Sequence, residues 1–184
     1  AGRHLLDLVN TVLDLSKIEA DRFSLNRVAV NPGAVALESA AMVRGQVEAA
    51  GLKLRVDVSD GLPESYIDPR GVRQILLNLL SNAVKFTSDG GISLTVRRED
   101  DDLIYTVSDS GVGMSAEALK ALGGRFTSAH GAGVRGQGGS GLGLSLAISL
   151  AELHGGRVNF TSAPGEGLTA EVRLPIAATP APAK

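Results

Sequence analysis

Three polar residues at helical spacing are the first candidates for chemistry. Asn78, Asn82 and Lys85 are separated by four and then three positions, so all three project from one stripe of a predicted helix, beside its apolar face. Two amide oxygens and a cation at this border could hold a magnesium ion and the phosphates that it bridges, because magnesium accepts neutral carbonyl oxygens. On spacing alone, a solvated helix face is the simpler interpretation.

A second candidate is Asp109, which opens the segment DSGVG at 109–113. Asp109 has the strand parity of Val107, so its carboxylate is predicted to point to the buried face at the end of a strand. A buried carboxylate needs a hydrogen-bond donor, and the exocyclic amine of a purine is one candidate. Gly111 and Gly113 would let the backbone pass close to a flat ligand. The alternative is an Asx turn that only ends the strand.

The third candidate is a glycine-rich run, GQGGSGLGL at 136–144, which opens a predicted helix. Eleven of the 23 glycines fall between Gly111 and Gly143, so this region is predicted to be largely a loop. Unpaired N–H groups at a helix start, with glycines that permit close approach, form an anion site. No GK[ST] motif occurs and no strand precedes the run, which argues against a P-loop and against a Rossmann fingerprint.

Hydrophobic periodicity predicts the elements that must position these residues. Asp68 and Pro69 mark the start of the helix that carries the polar stripe, as N-cap and first helical residue. Helices are expected at 4–19, 32–50, 69–87, 115–122 and from about 141 to 154. Strands are expected at 23–30, 52–58, 92–96, 103–107, 158–160 and 168–174, with a solvated turn at 97–102 and a loop at 123–140. The class is therefore α+β, with one layer of helices on a mixed or antiparallel sheet.

Composition excludes several function classes. The 18 basic and 20 acidic residues give a net charge of −2, which argues against a nucleic-acid binder. The absence of cysteine excludes thiolate zinc sites and cysteine nucleophiles. No apolar run is long enough to span a membrane.

The first helix has an apolar stripe at Leu5, Leu8, Val12 and Leu15, which suits a helix–helix seam. This helix either packs on its own domain or ends a dimeric bundle helix. The abrupt start at Ala1, without a methionine, favours the second interpretation and suggests a piece of a longer protein.

Together, in this order and on these elements, the motifs resemble the catalytic ATP-binding domain of sensor histidine kinases, within the superfamily of gyrase, the Hsp90 chaperones and MutL. The N box is QILLNLLSNAVKFT at 74–87, the G1 box is DSGVG at 109–113, and the G2 box is GSGLGL at 139–144. The segments 154–156 (HGG) and 165–167 (GEG) fit the closing strands of that family. The resemblance covers about residues 1–175.

The resemblance implies a two-layer α/β sandwich, the Bergerat-type ATP-binding fold. It implies three parts: the end of a dimerisation and phosphoacceptor bundle helix at 1–20, the ATP-binding domain at 21–175, and a flexible tail at 176–184. By the same resemblance, the site residues form a catalytic set of Asn78, Asn82 and Lys85, an ATP-binding set and a magnesium set. Asn82 would ligate Mg²⁺ with Asn78 assisting, Lys85 would contact phosphate, and Phe86 would pack near the nucleotide. Asp109 with Gly111 and Gly113 would hold adenine, and Thr169 would support the adenine pocket through a water. The phosphates would be cradled by Gly139, Ser140, Gly141, Leu142, Gly143 and Leu144, and residues 123–138 would form the ATP lid.

The function implied is transfer of the γ-phosphate of Mg-ATP to a histidine on the upstream bundle. The partners implied are a second copy, in a homodimer, and a response regulator or phosphotransfer protein. No nucleic-acid or membrane contact is expected for this segment, which is placed in the cytoplasm whether or not its parent protein is membrane-anchored. A chaperone-like ATPase is disfavoured, because Asn78 stands where those relatives carry a glutamate base.

Two departures from the family pattern leave an alternative open. None of His4, His130 and His154 fits the phosphoacceptor position, and His130 and His154 are interpreted as incidental or structural. The aromatic motif of the lid is reduced to Phe126. The alternative is a regulatory pseudokinase or scaffold with the same fold, which binds other signalling proteins and does not phosphorylate itself.

Overall fold

The structure is a computed structural model that describes residues 2–120 and 142–176. Within these ranges the helices are α1 (Gly2–Glu19), α2 (Pro32–Ala49), α3 (Pro69–Phe86), α4 (116–120) and α5 (Leu142–Leu153). The strands are β1 (Val28–Val30), β2 (Lys53–Val58), β3 (Ser65–Ile67), β4 (Gly91–Glu99), β5 (Asp102–Asp109), β6 (Arg157–Ser162) and β7 (Leu168–Pro175).

Five of the strands form one mixed sheet in the order β2-β4-β5-β7-β6. The β2–β4 pair is parallel and the other three pairs are antiparallel. Strands β1 and β3 form a separate antiparallel pair. The inward side chains of the large sheet pack on α2, α3 and α5 in one core, while its outward side chains are polar or charged at most positions. The expected α+β class with a mixed sheet is confirmed.

Two helix starts follow from local sequence signals. Asp68 caps α3, since its Oδ1 accepts from the N–H groups of Arg70 and Gly71, and Pro69 occupies the first helical position, as predicted. Asn31 caps α2 in the same way. The buried Tyr105 of β5 donates its hydroxyl to the carbonyl of Pro32, 2.9 Å away, so the sheet and α2 are joined by a satisfied polar contact; burial raises the pKa of this phenol.

The main differences from the predicted elements lie at β1, at β3 and at the turn between β4 and β5. Of the strand expected at 23–30, only Val28–Val30 is a strand, and β3, its partner, was not predicted. The two residues before β1 form hydrogen bonds with helix ends and not with a neighbouring strand. The N–H of Asn26 donates to Asp68 at the start of α3, and the guanidinium of Arg27 donates to the carbonyl of Leu153 at the end of α5. The turn expected at 97–102 is tighter, because β4 continues to Glu99.

Helix α1 packs against α5, and its apolar residues lie on two sides. Leu15 and Ile18 pack on the core, whereas five others are exposed: Leu5, Leu6, Val9, Val12 and Leu13. The predicted stripe is therefore divided, because Leu5 and Val12 are exposed while Leu15 faces the domain and Leu8 is half-buried. None of the helices in the described residues is long and apolar enough to cross a membrane.

Candidate functional site

The polar stripe of α3 begins with an amide that joins two helices. The Nδ2 atom of Asn78 donates to the carbonyl of Gly143, 2.9 Å away in the first turn of α5. The Oδ1 atom of Asn78 accepts from Nε2 of Gln74, one turn earlier on α3, at 3.1 Å. Because a carbonyl can only accept, Gly143 fixes which way the Asn78 amide is turned, and Asn78 in turn fixes Gln74. Asn78 therefore holds the start of α5 against α3.

The stripe continues towards the end of α3 with Asn82 and Lys85. Asn82 is half-buried and Lys85 is exposed, with its Nζ 5.7 Å from the centroid of the Phe86 ring. Phe86 is 43% exposed, so an apolar ring is open to a ligand at this end of the helix. The order along the stripe is thus amide, amide, cation and aromatic ring.

The side chains of Asn78 and Asn82 could bind magnesium only together with a ligand that supplies further oxygen atoms. Within the described ranges there is no group of three or more histidine or carboxylate side chains that could hold a metal ion. The two asparagines offer neutral amide oxygens, which magnesium accepts when phosphate oxygens and water complete its coordination. The residues therefore fit a metal that arrives with a phosphate group.

The carboxylate of Asp109 is oriented by two backbone bonds. Its Oδ1 accepts from the N–H of Gly111 at 2.9 Å and from the N–H of Leu168 at 3.2 Å. The first bond forms an Asx turn, which was the alternative interpretation of this segment in the sequence analysis, so the turn is present. Within the described part of the chain Oδ2 has no hydrogen bond, and it is this oxygen that a ligand amine could reach.

The two glycines after Asp109 have a packing role in the structure. A Cβ on Gly111 would overlap the carbonyl oxygen of Phe86, and a Cβ on Gly113, where φ is +69°, would overlap the carbonyl oxygen of Ala163. This segment is thus pressed against the end of α3 on one side and against the turn after β6 on the other.

The other predicted residues, apart from Thr169, divide into two groups. Gly139, Ser140, Gly141 and the expected lid at 123–138 lie outside the described residues. Leu142, Gly143 and Leu144 form the start of α5, beside Asn78.

Thr169 is the second residue of β7. It pairs with Ser108 across β5 and β7, and the two hydroxyls are 2.9 Å apart. Neighbouring residues of a strand point to opposite faces, so Thr169 lies on the outer face of the sheet, whereas Asp109 has the inward parity. Support of the adenine pocket by Thr169 through a water stays a prediction.

Sequence reasoning missed Gln74, Leu168 and Ser162. Gln74 precedes Asn78 by one helical turn, which was a usable signal. Leu168 acts through its backbone and Ser162 through contacts across a hairpin, so neither had a sequence signal.

A separate surface depression of about 520 Å³ opens beside the first residues of β2 and β4. Its lining includes Lys53, Arg55, Ser93 and Ser108, which have the outward parity of the sheet. It borders Asp109 but is not the groove between α3 and α5.

Comparison with known proteins identifies the family. Residues 67–178 match the family described as histidine kinase-, DNA gyrase B-, and HSP90-like ATPase. The chain is 44% identical over 189 residues to the histidine protein kinase DivJ of Caulobacter vibrioides, covering 99% of this chain and 32% of that protein. It is 42% identical over 176 residues to an uncharacterized sensor-like histidine kinase of Rhizobium meliloti, covering 95% of this chain and 34% of that protein. The chain thus spans about a third of the length of these relatives.

Solved structures agree with the fold. Full-length ShkA in complex with AMPPNP superposes with a TM-score of 0.84 at 31% identity, covering 99% of this chain and 38% of that chain. The histidine kinase AdeS of Acinetobacter baumannii gives a TM-score of 0.76 at 19% identity, covering 95% of this chain and 79% of that chain, which speaks for the fold alone. The expected resemblance to the catalytic domain of sensor histidine kinases is confirmed, and the chain belongs to the histidine kinase-, DNA gyrase B-, and HSP90-like ATPase family.

Proposed function

We propose that this chain is the ATP-binding catalytic domain of a sensor histidine kinase, which transfers the γ-phosphate of ATP to a histidine on a dimeric helical bundle. The observation that carries the proposal is the carboxylate of Asp109, whose Oδ1 is held by two backbone N–H groups at the end of β5. The other oxygen, Oδ2, would accept from an exocyclic amine. Adenine has an amine at its six-position and guanine has an acceptor there, so the carboxylate favours ATP over GTP.

The phosphate end of the site is assigned to α3 and α5. Asn82 would hold magnesium with assistance from Asn78, and Lys85 would contact a phosphate. When bound, magnesium would neutralise charge on the phosphate oxygens. The oxygen of Asn78 accepts one hydrogen bond from Gln74 and keeps a second lone pair, with which it could assist. Residues 139–144 would supply backbone N–H groups to the phosphates at the start of α5.

The residues of the site favour phosphoryl transfer over hydrolysis. Phosphoryl transfer depends mainly on positioning and on neutralising charge, which a cation and oriented amides supply. Hydrolysis needs a group that takes a proton from water. Asn78 is an amide, which does not take a proton at neutral pH, and its nitrogen is committed to the carbonyl of Gly143.

The names of the relatives, which are histidine kinases about three times longer than this chain, support a proposal for the acceptor and the partners. The acceptor histidine is proposed to lie in a bundle to which α1 contributes its exposed side. The protein would act as a homodimer and pass the phosphate to a response regulator or phosphotransfer protein.

The test has a binding part and a transfer part. Calorimetry of the chain with ATP and magnesium should show binding, and absence of binding would overturn the proposal. A longer chain that carries the upstream bundle should then gain an acid-labile phosphate from γ-labelled ATP. A longer chain that contains a bundle histidine, dimerises and binds Mg-ATP but gains no phosphate would favour the pseudokinase.

A further inference from the structure

The turn between β6 and β7 is joined to the segment that follows Asp109. The N–H of Gly165 donates to the carbonyl of Val112 at 2.7 Å. The N–H of Met114, two residues before α4, donates to the hydroxyl of Ser162 at 2.8 Å. These contacts connect the end of one hairpin with the loop that leaves β5.

Ser162 is at the centre of this junction. Its hydroxyl also donates to the carbonyl of Gly167, 2.5 Å away, so its proton and one lone pair are both engaged. Ser162 is the last residue of β6 and pairs with Leu168, the first residue of β7. It is half-buried on the side of the sheet to which Val158 and Phe160 point. The hydroxyl therefore closes the hairpin where the turn begins.

The turn that Ser162 closes reaches the carboxylate of Asp109. Gly167 has a φ of +75°, and a Cβ there would overlap the backbone carbonyl oxygen of Asp109. The next residue, Leu168, donates its N–H to Oδ1 of Asp109 at 3.2 Å. A shift of the turn would move this donor, and the carboxylate would keep only the N–H of Gly111. One bond fixes a distance, whereas two fix the direction in which the free oxygen points.

We infer that Ser162 is a positioning residue that sets base specificity: by closing the β6–β7 turn it holds the N–H of Leu168 on Asp109, and so aims the free carboxylate oxygen at the amino group of adenine. The inference rests on the proposed function, in which Asp109 accepts from that amine. A simpler role is that Ser162 only stabilises the hairpin. The two roles differ in what the loss of the hydroxyl does to recognition of the six-amino group.

The experiment compares ATP with purine riboside triphosphate, which lacks the six-amino group. Wild-type protein should prefer ATP by about tenfold or more, the usual worth of a hydrogen bond to a charged group. In Ser162→Ala this preference should fall about threefold or more, mainly through weaker ATP binding. Ser162→Thr keeps the hydroxyl and should keep most of the preference. Thr161→Ala is the matched control, because it removes an exposed hydroxyl from the neighbouring position on the other face.

The outcomes distinguish a failure of the role inferred for Ser162 from a failure of the proposed function. A folded Ser162→Ala protein with the wild-type preference for ATP would overturn the inference, as would an equal loss of preference in Thr161→Ala. If wild-type protein does not bind ATP, the proposed function itself fails. Thermal unfolding reports whether each variant is folded. If Ser162→Ala is not, Ser162→Cys, a near-isosteric variant with a weaker donor, serves in its place under the same criterion.

Discussion

The ring of His154 joins the end of α5 to the start of α3 through the backbone of Asp68. Its Nε2 accepts from the N–H of Asp68 at 3.2 Å, and its Nδ1 is 2.8 Å from the carbonyl of Leu150. Since a carbonyl only accepts, Nδ1 carries the proton and the imidazole is neutral. The ring is 4% exposed. The two helices that carry the proposed phosphate site are thus joined at their far ends by a neutral histidine. Of the two interpretations offered for His154, incidental or structural, these contacts favour the structural one.

This arrangement predicts loss of stability in acid. Burial lowers the pKa of His154, and the charge of Arg27 acts in the same direction, while the Leu150 bond and Asp68 oppose them. The unfolded chain, with an ordinary histidine pKa of about 6.5, therefore binds more protons as the pH falls. The contribution is complete above that value and is lost as the pH falls through the folded pKa. Urea unfolding should give a lower free energy at about pH 5.5 than at about pH 7.5.

The variant His154→Gln isolates this effect from other titrating groups. Glutamine can still accept from Asp68 but does not gain a proton, so the decline in stability between the two pH values should be smaller than in wild type. At neutral pH the variant should cost about 1 kcal/mol, because the geometry of two buried hydrogen bonds is disturbed. Parallel pH profiles for the two proteins would show that His154 does not carry the acid sensitivity.

Asp109→Asn should weaken ATP binding by roughly 1.5–3 kcal/mol, the usual worth of a charged hydrogen bond. The asparagine oxygen can keep the two backbone donors, so the fold should be retained, but an N–H₂ group would then face the amine of adenine. The preference for ATP over GTP should also weaken. Calorimetry with both nucleotides measures the two effects.

Asp102→Asn is the matched control for that variant. Asp102 lies at the opposite end of the same strand and pairs with Arg173 at 3.3 Å, away from the site. It should leave ATP affinity unchanged. Unchanged ATP affinity in Asp109→Asn would remove the assignment of the carboxylate to adenine.

The fold was predictable where neighbours in sequence decide the structure. Asp68 and Pro69 predicted the start of α3. The alternation of apolar and polar residues that ends in Val107 and Asp109 predicted that the carboxylate lies on the inward face of the sheet. The outward position of Thr169 was also readable, because Ala170 and Val172 carry the apolar parity of β7. The role predicted for Thr169, support of the adenine pocket through a water, came from the family resemblance and stays a prediction.

Contacts between distant segments were beyond the sequence. Nothing local to Asn78 shows that its nitrogen binds the carbonyl of Gly143, 65 positions later. The same holds for Asn26, whose N–H is taken by Asp68. The hydrogen-bond partners of backbone groups leave no signature in the sequence. A segment with a strand-like pattern can therefore form its backbone hydrogen bonds with the end of a helix and not with another strand.

Asn82→Ala should reduce ATP binding more in magnesium than in a chelator, because the proposed lost group is a metal ligand. The affinity for ATP is measured in both solutions. Ser81→Ala, at the neighbouring exposed position of α3, is the control and should change neither affinity. If Asn82→Ala loses the same factor with and without magnesium, Asn82 holds the helix or the nucleotide directly, and not the metal.

The last prediction concerns assembly and rests on the divided apolar surface of α1. Val9 is 47% exposed, whereas Leu15 packs on the core. If the exposed side of α1 belongs to a dimeric bundle, Val9→Glu should weaken dimerisation of a longer chain that carries the bundle, because a charge would be buried in the seam. It should leave the domain folded and able to bind ATP. Leu15→Glu should instead lower the unfolding temperature of the domain, since the charge would face α5 and the core. Sedimentation over a range of concentrations, with thermal unfolding of the same samples, distinguishes the two effects. Equal dimerisation by wild type and Val9→Glu would mean that the exposed side of α1 is not the seam.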